Sequence, residues 1–225
     1  MLPLRRLIRE LQRKGFHFSG LIIPLVYYLG LRFSIPGSEK PWLTKETATW
    51  IVGIGTGIYL VIEMVRLTDP TANRLFVRLF RVVLRRQEVQ GLTGTAYYLY
   101  GAFLSMLLFP PIVAIVAMMF LVFGDFAAAL VGTSIGRIRI FPPRSLEGSA
   151  GCLLACLAVG LPLLWHVKPV WPVAVGLTAA GAVAATVSEC LPWRMNDNLT
   201  IPLVSGFALR LAAHGFGVTD LTLPW

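Results

Sequence analysis

The sequence predicts an all-α polytopic integral membrane protein, with about seven transmembrane helices and one amphipathic helix on the cytoplasmic side. Three observations carry this. Of 225 residues, 56% are hydrophobic and only 14% charged, against roughly a quarter charged in a soluble domain. The apolar side chains fall in uninterrupted runs such as residues 111–123, more than one water-soluble core of this length could hide. The basic residues sit between the runs in an alternating pattern, which a bilayer protein uses for orientation.

The chain reads as a single transmembrane domain over residues 1–225. Its first span, at about residues 16–33, follows Arg5, Arg6, Arg9, Arg13 and Lys14. No small-residue cleavage site closes it, so it reads as an uncleaved first span. The others are expected at about 49–67, 95–109, 111–132, 149–167, 170–189 and 199–214; the third and seventh are short against the ~20 residues a span requires. Pro36-Gly37, Pro110-Pro111, Pro142-Pro143, Pro169 and Pro192 punctuate the boundaries, where helices end readily. Pro24, Pro162 and Pro202 fall inside spans and predict kinks. Between spans two and three, Arg74, Arg78, Arg81 and Arg85 recur at helical spacing among apolar residues, predicting a basic helix on the inner membrane surface.

With twenty Lys and Arg against eleven Asp and Glu, the formal charge is +9. In a membrane protein that excess reads as orientation, and nucleic acid is set aside as a partner. The N-terminal segment, the 74–86 loop, the loop with Arg137, Arg139 and Arg144, and Arg194 all fall on one side. The positive-inside rule puts that side and the N-terminus in the cytoplasm, and the C-terminus opposite. Cys152, Cys156 and Cys190 form no CxxC pair and no disulfide framework; Cys152 and Cys156 read as packing on one helix face.

Four carboxylates lie inside or just past apolar spans, where an unpaired charge costs several kcal/mol: Glu63, Asp125, Glu189 and Asp197. At 1.5 Å per residue, Glu63 and Asp125 each lie roughly 21 Å from the outer start of their helices, in the inner third of a ~30 Å core. Glu189 and His17 fall at the same edge. Arg66 follows Glu63 on one helical face. The odd-numbered helices point their positive ends inward, and these begin near Thr93, within Glu147-Gly148-Ser149 and after Asn196-Asp197-Asn198, all suited to anions. Gly132 and Gly136 precede the basic loop. Carboxylates beside cationic loops suit a magnesium nucleotide, although no GxxxxGK[ST] pattern occurs.

These residues, taken in order, resemble a known family. Asp125, Ala128, Gly132 and Gly136 spell DxxAxxxGxxxG, and Arg144, Ser145, Glu147, Gly148 and Ser149 follow K[ST]xEGS, with Arg144 where lysine is usual. Arg13, Lys14 and His17 look like an RKxxH; Glu63 and Arg66 like an ExxR; Glu189 with Asp197, Asn198 and Pro202 like an E…DNxxxP ending. The set resembles the polyprenol kinase family, which includes dolichol kinase, phytol kinase and the CTP-dependent diacylglycerol kinases, and it covers nearly the whole chain.

The resemblance implies transfer of the γ-phosphoryl of CTP, with Mg2+, to the hydroxyl of a membrane lipid alcohol at the cytoplasmic interface. An isoprenoid alcohol (phytol, polyprenol or dolichol) is favoured and diacylglycerol is the alternative. The roles it implies are Mg2+ on Asp125 and Asp197, a base at Glu189, and His17 as base or phosphate donor. Phosphate or nucleotide contacts fall to Arg13, Lys14, Gly132, Gly136, Arg144, Ser145, Glu147, Gly148, Ser149 and Asn198. Glu63, Arg66 and Thr93 support the site. Two other readings compete: a CDP-diacylglycerol synthase-like cytidylyltransferase, whose HGGxxDR-like ending is missing here, and a seven-span transporter or channel, whose charges would sit near the midplane. Phe103, Met118, Met119 and Phe120 read as packing rather than substrate lining. The oligomeric state is not legible.

Overall fold

The computed structural model describes residues 15, 18–34, 40–81, 84–142, 144–168, 170–192, 195–218 and 221. Arg13, Lys14, His17 and Arg194 lie outside them. Each of the seven apolar segments coincides with a helix. After a 3-10 turn at Phe18–Leu21 come α1 (Ile22–Arg32), α2 (Lys45–Thr68), the surface helix α3 (Pro70–Phe80), α4 (Gly94–Leu108), α5 (Pro111–Ser134), α6 (Leu146–Val167), α7 (Trp171–Cys190) and α8 (Asp197–Gly215). Four of these, α2, α5, α6 and α7, are long and apolar enough to cross a membrane. With 15 residues, α4 reaches only about 22 Å at 1.5 Å per residue.

Capping chemistry sets several boundaries. Thr44 accepts from Thr47 N at 3.2 Å, so α2 begins four residues before the apolar run. Asp69 caps α3 by accepting from Thr71 N at 2.7 Å, with Pro70 at the first helical position, where its missing N–H is not needed. Ser145 and Asn196 cap α6 and α8, which draws Glu147, Gly148, Ser149, Asp197 and Asn198 into first turns. Pro162 and Pro202 stand within continuous helices, and Pro24 lies in the first turn of α1.

α5 is the central helix. Ile112 to Met118 are all fully buried, and a helix apolar on every side is one surrounded by others. Phe120 packs where Gly160 of α6 and Gly181 of α7 leave room, and Phe103 fills the space left by Gly53 of α2, so these side chains serve packing. α8 lies parallel to α4, with Asn198 beside Gly94 at one end and Arg210 beside Leu108 at the other. On the outside, α2 exposes Trp50, Ile54, Ile58, Val61 and Met64, an apolar face that suits lipid and not water.

Candidate active site at the helix ends

The described residues of the connections between α3 and α4, α5 and α6, and α7 and α8 meet at one end of the bundle, organised by one buried and one half-buried charge cluster. In the first, Glu63 and Arg66 form an ion pair of 2.6 Å on α2, both almost fully buried. Arg66 also donates to the carbonyls of Glu88, Val89 and Gly91 at 3.1, 3.4 and 2.7 Å, and to Asn73 Oδ1 at 3.2 Å. Glu63 accepts from the backbone N and the hydroxyl of Thr93 at 3.2 and 3.0 Å, while Thr93 caps α4 through Ala96 N. Apart from Arg66 Nε, which has no partner among the described residues, the pair thus satisfies its desolvated charges by gripping the 88–93 segment. Phe76 of α3 lies under the guanidinium, 5.0 Å from ring centre to Cζ, which ties the surface helix to the same pair. Glu88, missed in the sequence, extends the grip: it accepts from Arg85 N at 2.8 Å and Gly94 N at 3.0 Å.

The second cluster centres on Arg144. Its Nη2 donates to both oxygens of Asp197, at 3.0 and 2.8 Å, and its Nε lies 3.5 Å from Glu189. Nη1 donates to the carbonyls of Leu191 and Cys190. One guanidinium therefore joins the end of α7 to the start of α8 and holds two of the carboxylates singled out in the sequence. Asp125 and Arg85 lie close enough to act on the charge of Asp197. Asp125 follows a π-helical turn, Phe120–Gly124, in the middle of α5; such widened turns are frequent at functional sites.

The glycines of the motifs are occupied by helix packing. A Cβ on Gly148 would lie 2.8 Å from the Ala128 carbonyl and 3.3 Å from Gly132 Cα, and one on Gly136 would strike the Gly132 carbonyl at 2.3 Å. Gly124 likewise makes room for the sulfurs of Cys152 and Cys156, as expected of packing cysteines. Ser145 is buried as the cap of α6, donating no charge of its own but accepting from Gly148 N at 3.2 Å. Glu147 accepts from Ile138 N and fixes the 137–138 turn. Asn198 bridges the two parallel helices by donating to the Gly94 carbonyl at 2.8 Å.

Three hydroxyls at this end stand out. Thr178, Thr186 and Ser205 spend theirs on a carbonyl one turn back, at 2.7, 2.8 and 2.7 Å. Ser149, Ser188 and Thr200, on α6, α7 and α8, are each more than nine-tenths buried and have no hydrogen-bond partner among the described residues. Buried polar atoms are normally paired, so a ligand oxygen is a fitting partner.

A cavity of about 330 Å³ opens beside the second cluster, lined by Arg85, Glu88, Tyr97, Arg144, Asn196 and Asp197 among others. Its size and polar wall suit part of a nucleotide. The structure thus brings together Arg144, Glu189, Asp197 and, nearby, Asp125; Glu63, Arg66 and Thr93 form the adjoining brace.

The chain is 24% identical to CTP-dependent diacylglycerol kinase 1 of Saccharomyces cerevisiae over 232 aligned positions, covering 92% of this chain and 74% of that relative. It is 27% identical to Probable phytol kinase 2, chloroplastic, of Glycine max, covering 75% of this chain and 66% of the relative. The similarity is to the polyprenol and lipid kinase family. An uncharacterized protein of Rickettsia prowazekii is also similar, at 27% identity over 86% of this chain and 90% of its own length. No protein-family model matches the chain, and no solved structure matches it significantly. The relatives' names support a membrane enzyme of lipid metabolism, a kinase that uses CTP.

Proposed function

We propose that the protein transfers the γ-phosphoryl group of CTP to the hydroxyl of a lipid alcohol, at the cytoplasmic end of a seven-span bundle. The observation that carries this reading is Arg144, whose single guanidinium engages Glu189 and Asp197 at the wall of a polar cavity. Positive charge next to acidic groups, at the end of otherwise apolar helices, is what a polyphosphate from water and a hydroxyl from the bilayer both need.

In this reading Arg144 neutralises the phosphates, whose oxygens compete with Asp197 for its N–H donors, and Glu189 takes the hydroxyl proton. The alcohol oxygen attacks the γ-phosphorus, the bond to the bridging oxygen breaks, and CDP leaves. Ser149, Ser188 and Thr200 supply unspent donors to the reacting oxygens. Asp125 and Asp197 suit Mg2+, which is commonly held by one or two carboxylates with phosphate oxygens completing its shell. When bound, the ion would supply charge neutralisation for the phosphates. Arg13 and Lys14 keep the phosphate-contact roles, and His17 the role of base or phosphate donor, that the motif resemblance gives them.

The acceptor is an isoprenoid alcohol or diacylglycerol, since both present one hydroxyl on an apolar body. Purified protein supplied with γ-labelled CTP and a panel of these alcohols tests the reading: label should enter lipid and CDP should appear. Release of pyrophosphate would instead mark a cytidylyltransferase.

A further inference from the structure

Arg85 is legible in the sequence as the last member of a membrane-surface stripe, and the structure takes it off that stripe. α3 ends at Phe80, and Arg85 precedes the separate 3-10 turn Arg86–Val89. Arg74, Arg78 and Arg81 are exposed, as lipid-facing or solvated arginines are, whereas Arg85 is half-buried and lines the 330 Å³ cavity together with Arg144 and Asp197.

Its backbone is anchored from two directions. Glu88 receives the Arg85 N–H on one carboxylate oxygen and the Gly94 N–H on the other. The Glu88 carbonyl is in turn held by Arg66, which is paired with Glu63 in the interior. An arginine that only touches anionic lipid needs no such brace. Among the described residues the Arg85 guanidinium makes no hydrogen bond or ion pair, although it lies near enough to act on the charge of Asp197. The Arg144 guanidinium, by contrast, is already engaged by two carboxylates and two carbonyls. Among the described residues, the cavity therefore holds one committed cation and one that is presented but unspent.

We infer that Arg85 is a second anion-binding side chain of the cavity, grasping the polyphosphate of the incoming nucleotide alongside Arg144, and that Glu88 with the Glu63–Arg66 pair positions it. The identity of that anion as CTP rests on the proposed kinase reading; the anion site itself does not.

Two measurements on detergent-purified full-length protein test this: the KM values for CTP and for lipid alcohol, and binding of inorganic tripolyphosphate. Arg85→Ala should raise the KM for CTP about tenfold, a loss of about 1.4 kcal/mol, leave the KM for the lipid alcohol unchanged, and weaken tripolyphosphate binding. Arg85→Lys should recover part of both. Arg78→Ala, on the exposed face of α3, should change neither. An Arg85→Ala enzyme with the parental KM for CTP, or with only its lipid KM altered, would overturn the inference in favour of a lipid contact. If CTP phosphorylates no lipid alcohol at all, the kinase reading fails separately. Tripolyphosphate binding that depends on Arg85 then still supports the anion site, and binding that is absent or indifferent to Arg85 overturns it.

Discussion

Arg144 donates from one nitrogen to both carboxylate oxygens of Asp197, across 53 residues of sequence, while its other nitrogens reach Glu189, Cys190 and Leu191, so that one side chain fixes the start of α8 against the end of α7. This contact makes the residue a structural keystone of the helix ends as well as a candidate phosphate ligand. The two roles make different demands on a substitution.

Arg144→Lys keeps the charge but offers one ammonium where the guanidinium reaches Asp197, Glu189 and two carbonyls. From the motif alone, lysine should suffice. The observed fork predicts an intermediate enzyme, with kcat/KM for CTP reduced about tenfold, and Arg144→Ala reduced by a further order of magnitude or more. Steady-state kinetics at varied CTP, on variants inserted to equal levels, checks the ordering.

Asp125→Asn retains volume and removes the charge beside Asp197. Turnover should fall at least a hundredfold, on the order expected when a group that holds transition-state charge is lost, while membrane insertion and thermal unfolding stay close to the parent. Near-normal turnover at saturating Mg2+ would make Asp125 a packing residue.

The Glu63–Arg66 pair should respond differently. Glu63→Gln strands a buried guanidinium, which costs roughly 3–5 kcal/mol when a buried pair is broken, so the variant should lose thermal stability in detergent before its chemistry is affected. Restoring a neutral pair with Arg66→Met in the same chain should recover part of the loss, because the stranded charge is removed.

Much of this architecture was written in the sequence for simple reasons. Long apolar runs and the prolines between them marked the helices, and four long enough to cross a membrane fall where the runs do. Carboxylates in those runs drew attention because lipid punishes charge. Arg85 and Glu88 escaped because Arg85 keeps a helical spacing from Arg81 in the sequence yet stands in extended backbone before the separate 3-10 turn Arg86–Val89. The one available signal was an acidic residue three positions after Arg85, the spacing at which a side chain can reach back to a helix-start N–H. The motif resemblance gives the glycines of the 132–148 region contacts with the nucleotide. What their geometry displays is close contact between α5 and α6, and no local pattern separates the two uses of a missing side chain.

That seam gives a further test. Gly148→Ala would press a methyl group against the Ala128 carbonyl at 2.8 Å and should destabilise the protein by about 1–3 kcal/mol, as overpacking does. Gly55→Ala, on α2 with nothing within 4 Å, should be neutral or stabilise by up to about 1 kcal/mol through helix propensity. Thermal melting of the two proteins in one detergent compares them directly.

The central claim is that the cavity beside Arg144 and Asp197 serves phosphoryl transfer from CTP to lipid. The most direct measurement is the fate of CTP labelled separately at the γ- and α-phosphates, incubated with the purified protein and a panel of isoprenoid alcohols and diacylglycerol. The account predicts γ-label in the lipid, α-label in CDP, and loss of both signals in Asp125→Asn. Label from the α-phosphate in the lipid with release of pyrophosphate, or equal CTP consumption with and without a lipid alcohol, would contradict it.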